Sequence, residues 1–180
     1  MEKTLTHIAL FAALIAVLGL VPKIDLASGV PITAQSLGIM LCGTVLGAKR
    51  GALAVLLFLG LTLAGLPLLS GGRGGLGLLA SPTVGYIIGF PIAAFVIGWV
   101  VQTWKAPILP AAVAAAFLGG LVVLNAIGII GMSVMLDKTL PEAALLAAPF
   151  LIGDCLKAVL AGLITQAIAR MRPDALLSRA

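Results

Sequence analysis

Long apolar runs, separated by short polar segments, make up nearly the whole of this chain. Because an α-helix rises about 1.5 Å per residue, a run of about 20 apolar residues is long enough to cross the hydrocarbon core of a bilayer. The pattern therefore predicts an all-α polytopic membrane protein, with one membrane-embedded domain over residues 1–180 and six transmembrane helices. These helices are predicted at residues 5–21, 32–48, 51–69, 83–103, 108–136 and 142–169.

Two of the six segments depart from a uniform apolar helix. The second is short and carries Thr33, Gln35 and Ser36 near its start, so it is expected to be tilted, wrapped by its neighbours, or to begin inside a cavity. The interior of the fifth predicts a bend or a break, because it contains Gly119, Gly120, Asn125, Gly128 and Gly131.

The composition agrees with a membrane location. Hydrophobic residues make up 62% of the chain and charged residues 9%, whereas a soluble domain carries about 25% charged residues. The net charge is +5, but no basic patch is interleaved with aromatic residues, so we expect no nucleic-acid binding.

The distribution of basic residues predicts the orientation of the chain. With the N-terminus inside, seven cations fall on the inner side and three in the outer loops, which favours two cytoplasmic termini by the positive-inside rule. The inner set is Lys3, Lys49, Arg50, Lys105, Arg170, Arg172 and Arg179, and the outer set is Lys23, Arg73 and Lys138.

Two charged residues, Asp154 and Lys157, lie inside the last apolar segment. A charge near the bilayer centre costs roughly 2.5–3.5 kcal/mol on insertion scales, so such residues usually face a bundle interior or a cavity. Because they are three residues apart, both lie on one helix face. They either neutralise each other as a buried ion pair or line a site for a small molecule with donors and acceptors.

A glycine-rich loop precedes the fourth segment and includes Gly72, Arg73 and Gly74. It matches G-x-G-x-x-G formally, but no acid follows before Asp137, so a dinucleotide site is rejected. The glycines allow left-handed turns that bring backbone N–H groups close to a bound group, and Arg73 adds positive charge. The alternative is a flexible outer loop with one surface arginine.

Other polar residues are expected near the same end of the protein. Thr33, Gln35, Tyr86 and Asn125 each form either an interhelical hydrogen bond or part of a pocket with Arg73, Asp154 and Lys157. Such a pocket, with few charges, a carboxylate acceptor and cationic donors, suits a small and mostly apolar anion.

Several chemistries lack the residues that they need. His7 is the one histidine, so neither a histidine triad nor a histidine metal cluster is possible. Cys42 and Cys155 are far apart and indicate neither a metal site nor a disulfide framework. No P-loop motif occurs, so energy for any pumping comes from an ion gradient or from partner subunits.

Small residues at four-residue spacing allow helices to approach each other closely in lipid. Four such pairs occur, and they either pack inside the bundle or, in the alanine-rich first helix, dock another membrane subunit: Ala9 with Ala13, Ala12 with Ala16, Gly43 with Gly47, and Gly85 with Gly89.

Motifs along nearly the whole chain resemble the BioY family, the biotin-specific substrate-binding subunits of energy-coupling factor transporters. The similar stretches are PITAQ at 31–35, GLP at 65–67 before GGRGG at 71–75, SPTVGYIIGFP at 81–91 and PFLIGDCLK at 149–157. The resemblance implies a six-helix, multi-pass protein of the bacterial cytoplasmic membrane that is not an enzyme and needs no cofactor. It also implies that biotin is taken from outside and delivered with a transmembrane coupling protein and two ATPases.

The same resemblance implies roles for particular residues. Asp154 and Lys157 match ligand contacts, while Ala9 and Ala13 match a face for the coupling protein, with Ala12 and Ala16 as a second register. Biotin suits these groups, because its ureido ring offers N–H donors to Asp154 and its valerate carboxylate suits Lys157, with Arg73 as a second donor.

Alternatives remain at this stage. Asp154 either holds the ureido group or orients Lys157. Rival functions are a substrate-binding subunit for another vitamin, an ion-coupled carrier, and a membrane enzyme with Asp154 as general base. The enzyme would need a further acid, nucleophile or metal that the sequence does not supply convincingly.

Overall fold

The structure is a computed structural model that describes residues 2–26 and 28–179. The described residues form six long helices. They are α1 (Glu2–Leu18), α2 (Gln35–Leu46), α3 (Ala48–Leu63), α4 (Val84–Thr103), α5 (Ile108–Met135) and α6 (Leu140–Met171). One short 3₁₀ helix lies between α3 and α4, at Leu76–Ala80, and another follows α6, at Pro173–Ala175. Within the described ranges the only β pairings are two isolated bridges, so the all-α prediction is confirmed.

Three of these helices are long and apolar enough to cross a membrane: α4, α5 and α6, with 20, 28 and 32 residues. The shorter α1, α2 and α3 pack beside them, and α4 contacts α2, α3 and α5. Length and composition therefore identify an integral membrane protein, while six crossings and the orientation of the termini stay predictions.

Several predicted helix ends were wrong: α1 spans Glu2–Leu18 rather than residues 5–21, and α3 begins at Ala48 rather than at residue 51. Two further ends have a cause in the backbone. The second helix begins at Gln35 rather than at residue 32, because Ile32 pairs its backbone with Ile24 in the preceding loop. The third ends at Leu63 rather than at residue 69, because Gly65 takes a left-handed φ of 111°. In both cases apolar residues continue beyond the point where the backbone leaves the helix.

Where a bend or a break was predicted in the fifth segment, α5 continues through a stretch of wider, π-type turns at Phe117–Val123. The second helix, α2, ends in a similar stretch at Cys42–Leu46. A Cβ on Gly119 would lie 2.9 Å from the carbonyl oxygen of Ala93, so this part of α5 packs closely against the backbone of α4. Such turns leave the i→i−4 hydrogen-bond pattern and often lie at functional sites.

Glycines bring the central helices into direct contact. A Cβ on Gly85 would lie 2.6 Å from the carbonyl oxygen of Ile127, and one on Gly43 would lie 2.7 Å from that of Ala94. The glycine pairs of α2 and α4 therefore pack inside the bundle.

The residues after α6 fold back across one end of the bundle. The backbone N–H and the hydroxyl of Ser178 donate to the carbonyl oxygens of Val45 and Thr44, at 2.9 and 2.6 Å. Arg50 donates to the carbonyl oxygen of Leu177 at 3.3 Å. This end contains the turn between α2 and α3 and the last turns of α4 and α6.

Candidate functional site

A cavity opens at the opposite end of the bundle, where the loop between α1 and α2 meets the loop between α3 and α4. Its empty space measures about 550 Å³, the open solvent at its mouth included. Its apolar wall includes Ile87 and Leu124 and three aromatic rings, those of Tyr86, Phe90 and Phe150. Its polar lining is Thr33, Gln35, Ser36, Arg73, Thr83, Asp154 and Lys157.

The two charges of α6 meet inside this cavity. Nζ of Lys157 lies 3.3 Å from Oδ1 of Asp154, and their side chains are only 15% and 7% exposed. Ser36 joins them, because its hydroxyl accepts from Lys157 at 2.9 Å and donates to Oδ1 of Asp154 at 3.3 Å. An ammonium has three N–H donors, so Lys157 keeps one donor beyond these two bonds.

Asn125 supports the carboxylate from behind. Its Nδ2 donates to Oδ2 of Asp154 at 3.1 Å and to the carbonyl oxygen of Leu121 at 2.9 Å. The hydroxyl of Tyr86 donates to Oδ1 of Asn125 at 3.3 Å. Asn125 is 4% exposed and is not among the residues lining the cavity, so it contacts Asp154 rather than the open space.

The ring of Tyr86 fits only because Gly128 has no side chain. A Cβ at Gly128 would lie 2.5 Å from Cε1 of that ring. The Tyr86 ring also stands 5.6 Å from the Phe150 ring, centroid to centroid, at an interplanar angle of 51°, which is a favourable tilted aromatic pair. One wall of the cavity is therefore fixed by packing.

Gln35 lines the cavity and binds three backbone groups. Its Nε2 donates to the carbonyl oxygens of Ile15 and Leu68 at 3.2 and 3.0 Å, and its Oε1 accepts from the backbone N–H of Ser70 at 3.0 Å. Gln35 is 1% exposed. The first residue of α2 thus fastens the end of α1 and the glycine loop together.

The glycine loop forms a tight hairpin. Leu69 and Arg73 exchange backbone hydrogen bonds of 3.0 and 3.2 Å, and Gly71 and Gly72 between them have φ of 79° and 69°. The predicted left-handed turns are therefore present. Gly72 and Gly74 are exposed and do not line the cavity, whereas the half-buried Arg73 does.

The preceding loop forms the rest of the rim. Ile24 and Ile32 pair their backbones at 3.1 and 2.9 Å, while the buried Val30 and the half-buried Thr33 line the cavity. Lys23 pairs with Asp25, and the side chain of Lys23 lies against Gly71 of the hairpin. The two rim loops therefore touch each other.

The alanines of α1 separate into two faces. Ala12 is buried and Ala16 half-buried, while Ala9 and Ala13 are exposed. The second register therefore packs within the protein, whereas the exposed pair lies on the surface, where a partner helix can reach it.

Six of the predicted site residues line one cavity: Thr33, Gln35, Arg73, Tyr86, Asp154 and Lys157. Ser36 belongs to the same network, and the sequence offered only one signal for it, a polar residue near the start of an apolar segment. Two cations and one carboxylate line the cavity, which leaves a net charge of +1 that favours an anionic ligand. Among the described residues no cluster of three or more metal-ligating side chains occurs.

Comparisons with known proteins agree with one another. The model of the BioY family matches residues 2–174. Proteins named biotin transporter BioY are similar along the chain: that of Rhodobacter capsulatus is 50% identical over 99% of this chain and 100% of its own, and that of Rhizobium etli is 46% identical over 89% of each. A crystal structure at 2.1 Å, of the S-component for biotin from an ECF-type ABC transporter, superposes with a TM-score of 0.89 and 33% identity, covering 94% of this chain and 92% of its own.

Proposed function

This chain belongs to the BioY family, and we propose that it is a membrane-embedded subunit that captures biotin and passes it to the cytoplasm. Proteins of this family are transporter components rather than enzymes. The observation that supports this function best is the buried Asp154–Lys157 pair at the wall of a mostly apolar cavity. A ligand with matching polar groups offsets the cost of keeping two charges out of water.

The ureido ring of biotin is the part that complements this pair. The ring has two N–H donors and one carbonyl acceptor, which match a carboxylate and an ammonium lying side by side. Since the two side chains are 3.3 Å apart, an extended ligand presents only one of its polar ends to both of them. We therefore assign the ureido carbonyl to Lys157 and a ureido N–H to Asp154.

The carboxylate of the valerate chain then needs a different partner. Arg73 is the other cation in the lining, and it lies on the hairpin at the rim. Its Nε donates to the carbonyl oxygen of Ser70 at 3.4 Å, and no acid among the described residues pairs with it. Arg73 is therefore proposed to bind the carboxylate, with the bicyclic body and the alkyl chain against Tyr86, Phe90 and Phe150.

Binding of biotin and of its uncharged amide tests both the function and this assignment. The purified chain in detergent is expected to bind labelled biotin saturably, and biotinamide is expected to compete more weakly. Arg73→Gln is expected to lower the affinity for biotin about tenfold and to leave the affinity for biotinamide unchanged. The expected loss is at the low end for a charge-assisted hydrogen bond because Arg73 is half-exposed. Equilibrium dialysis with both ligands measures the two effects.

The outcomes are separable. An equal loss for both ligands would mean that Arg73 shapes the hairpin instead of binding the carboxylate. Binding of another vitamin by folded protein, without competition from biotin, would move the assignment to a different substrate of the same transporter class. No binding of any vitamin would favour the ion-coupled carrier.

The arrangement in the membrane completes the proposal. The chain is proposed to form a single domain of the bacterial cytoplasmic membrane, with six crossings, both termini inside and the cavity open to the outside. This is supported by the excess of cations at the end far from the cavity, among them Lys49, Arg50 and Arg179. A transmembrane coupling protein and two ATPases are the proposed partners.

The exposed alanines of α1 are the proposed docking face for the coupling protein. Ala9→Leu with Ala13→Leu is expected to lower biotin uptake by intact cells at least about tenfold, because bulky side chains keep two helices apart. Biotin binding by the purified variant should stay unchanged. Ala144→Leu with Ala148→Leu is the matched control, since these alanines form another exposed pair at the same spacing, on α6. Equal loss of uptake in both variants would exclude a specific role for α1.

A further inference from the structure

A second cavity lies at the end of the bundle far from the first. Its empty space measures about 820 Å³, the open solvent at its mouth included. It is formed by the turn between α2 and α3, the last turns of α4 and the folded-back tail. Lys49, Arg50, Phe95, Trp99, Gln102 and Leu177 contribute to its lining. None of the contacts that support biotin binding involves this cavity.

The described residues that line this cavity carry only positive charge. Lys49 is exposed and Arg50 half-exposed, and no described residue of the lining is acidic. Within the described chain both salt bridges lie elsewhere, so neither cation has a carboxylate partner. Arg50 donates one bond to the carbonyl oxygen of Leu177, which orients the guanidinium and leaves further donors. The N-terminus of the 16-residue α3, at Ala48, adds to the positive potential.

One wall of the same cavity is apolar and open to the side. Phe95 and Trp99 lie four residues apart on one face of α4 and are 43% and 55% exposed. Trp104, just after α4, is 48% exposed at the same end. Exposed tryptophans at the end of a membrane helix are typical of the membrane–water interface, where head groups meet acyl chains.

We propose that this cavity binds the phosphate head group of an anionic phospholipid. Lys49 and Arg50 contact the phosphate, and an acyl chain lies along Phe95 and Trp99. Charge complementarity together with a neighbouring apolar wall favours a lipid over an acidic protein segment, because a basic pocket between membrane helices matches both parts of the same molecule. The lipid stabilises the junction of α2, α3 and the folded-back tail.

Tryptophan fluorescence gives a local test. The chain has two tryptophans, so Trp104→Phe leaves Trp99 as the single reporter, and the bonds from Arg179 to the backbone oxygen of residue 104 are preserved. The variant is reconstituted in phosphatidylcholine vesicles that contain brominated phosphatidylglycerol or brominated phosphatidylcholine in equal fractions. Bromine on the acyl chain quenches Trp99 only when that lipid lies against α4.

Stronger quenching by the phosphatidylglycerol is expected at equal bromine content. Each cation is expected to favour the anionic lipid about fivefold, so Lys49 and Arg50 together give a preference on the order of 30-fold. Lys49→Gln with Arg50→Gln is expected to remove this preference and to leave quenching by phosphatidylcholine unchanged. Arg170→Gln with Arg172→Gln removes equal charge from exposed positions outside the cavity and should keep the preference. Circular dichroism during heating checks that each variant is folded.

Three results would overturn the proposal. One is equal quenching by the two lipids in the parent, and another is a preference that survives in the Lys49/Arg50 variant. The third is an equal loss of the preference in the Arg170/Arg172 variant, which would mean that net charge, and not this cavity, attracts the lipid. A Lys49/Arg50 variant that keeps the lipid preference but no longer co-purifies with its coupling protein would assign the cavity to a protein contact.

Discussion

Asp154→Asn is expected to lower the affinity for biotin by a factor between about 30 and several thousand. This is the range for removing one member of a buried, hydrogen-bonded charge pair. Asparagine keeps the size of the side chain but removes the negative charge that faces Lys157 and the ureido N–H. It also replaces an acceptor oxygen that now accepts from Asn125 or Ser36. Isothermal titration of the purified variant with biotin measures the loss.

A double variant separates this role from that of a mere structural ion pair. Asp154→Asn alone leaves a buried ammonium without its partner, and Lys157→Met alone leaves a buried carboxylate, so each is expected to lower the free energy of unfolding by about 3 kcal/mol. The double variant has no unpaired charge and should regain most of this stability, yet still fail to bind biotin. Binding near the parental affinity by the double variant would show that the pair serves folding alone.

Gln35→Leu is expected to have the second-largest effect, on stability and on binding together. It leaves the carbonyl oxygen of Leu68 and the backbone N–H of Ser70 without a partner. The carbonyl oxygen of Ile15 loses one of its two donors and still accepts from Gly19. Each unsatisfied buried group costs about 1–3 kcal/mol, so the free energy of unfolding should fall by roughly 2 kcal/mol or more. Because these bonds hold the hairpin that carries Arg73, biotin affinity should fall as well. Thermal unfolding with and without biotin measures both quantities.

Gln102→Leu is the matched control for Gln35. Its Oε1 accepts one backbone bond, from Ala48 at 3.0 Å, at the end of the bundle far from the biotin cavity. This variant should lose less stability and no biotin affinity. If Gln35→Leu lowered the affinity for biotin but not the stability, Gln35 would be a direct ligand contact and not a clamp, that is, a side chain that holds α1 and the hairpin together.

Parts of the site were predictable because the membrane makes them conspicuous. An acid and an amine three residues apart in an apolar segment predict a shared face and an internal partner, and the structure has Asp154 and Lys157 in contact at a cavity. The six long helices followed from hydropathy in the same way.

Other parts depended on the path of the backbone, which hydropathy does not report. Leu66 and Leu69 are as apolar as helix residues, but a left-handed glycine at residue 65 ends α3 before them. The clamp made by Gln35 needs two chain segments, at residues 15 and 68–70, to converge on one side chain. A polar residue at a helix start indicates neither partner, so its contacts appear only in three dimensions.

The wide turns in α5 set the rotational phase between its two halves. Buried residues recur there at every fourth position, at Ala112, Ala116, Gly120, Leu124, Gly128 and Met132. In a helix of 3.6 residues per turn each such step would rotate the buried face by about 40°, so the stripe would wind round to the outside. The stretch at Phe117–Val123 takes up part of that rotation. Deleting one residue there would turn Asn125 by about 100° and remove it from the carboxylate that it supports.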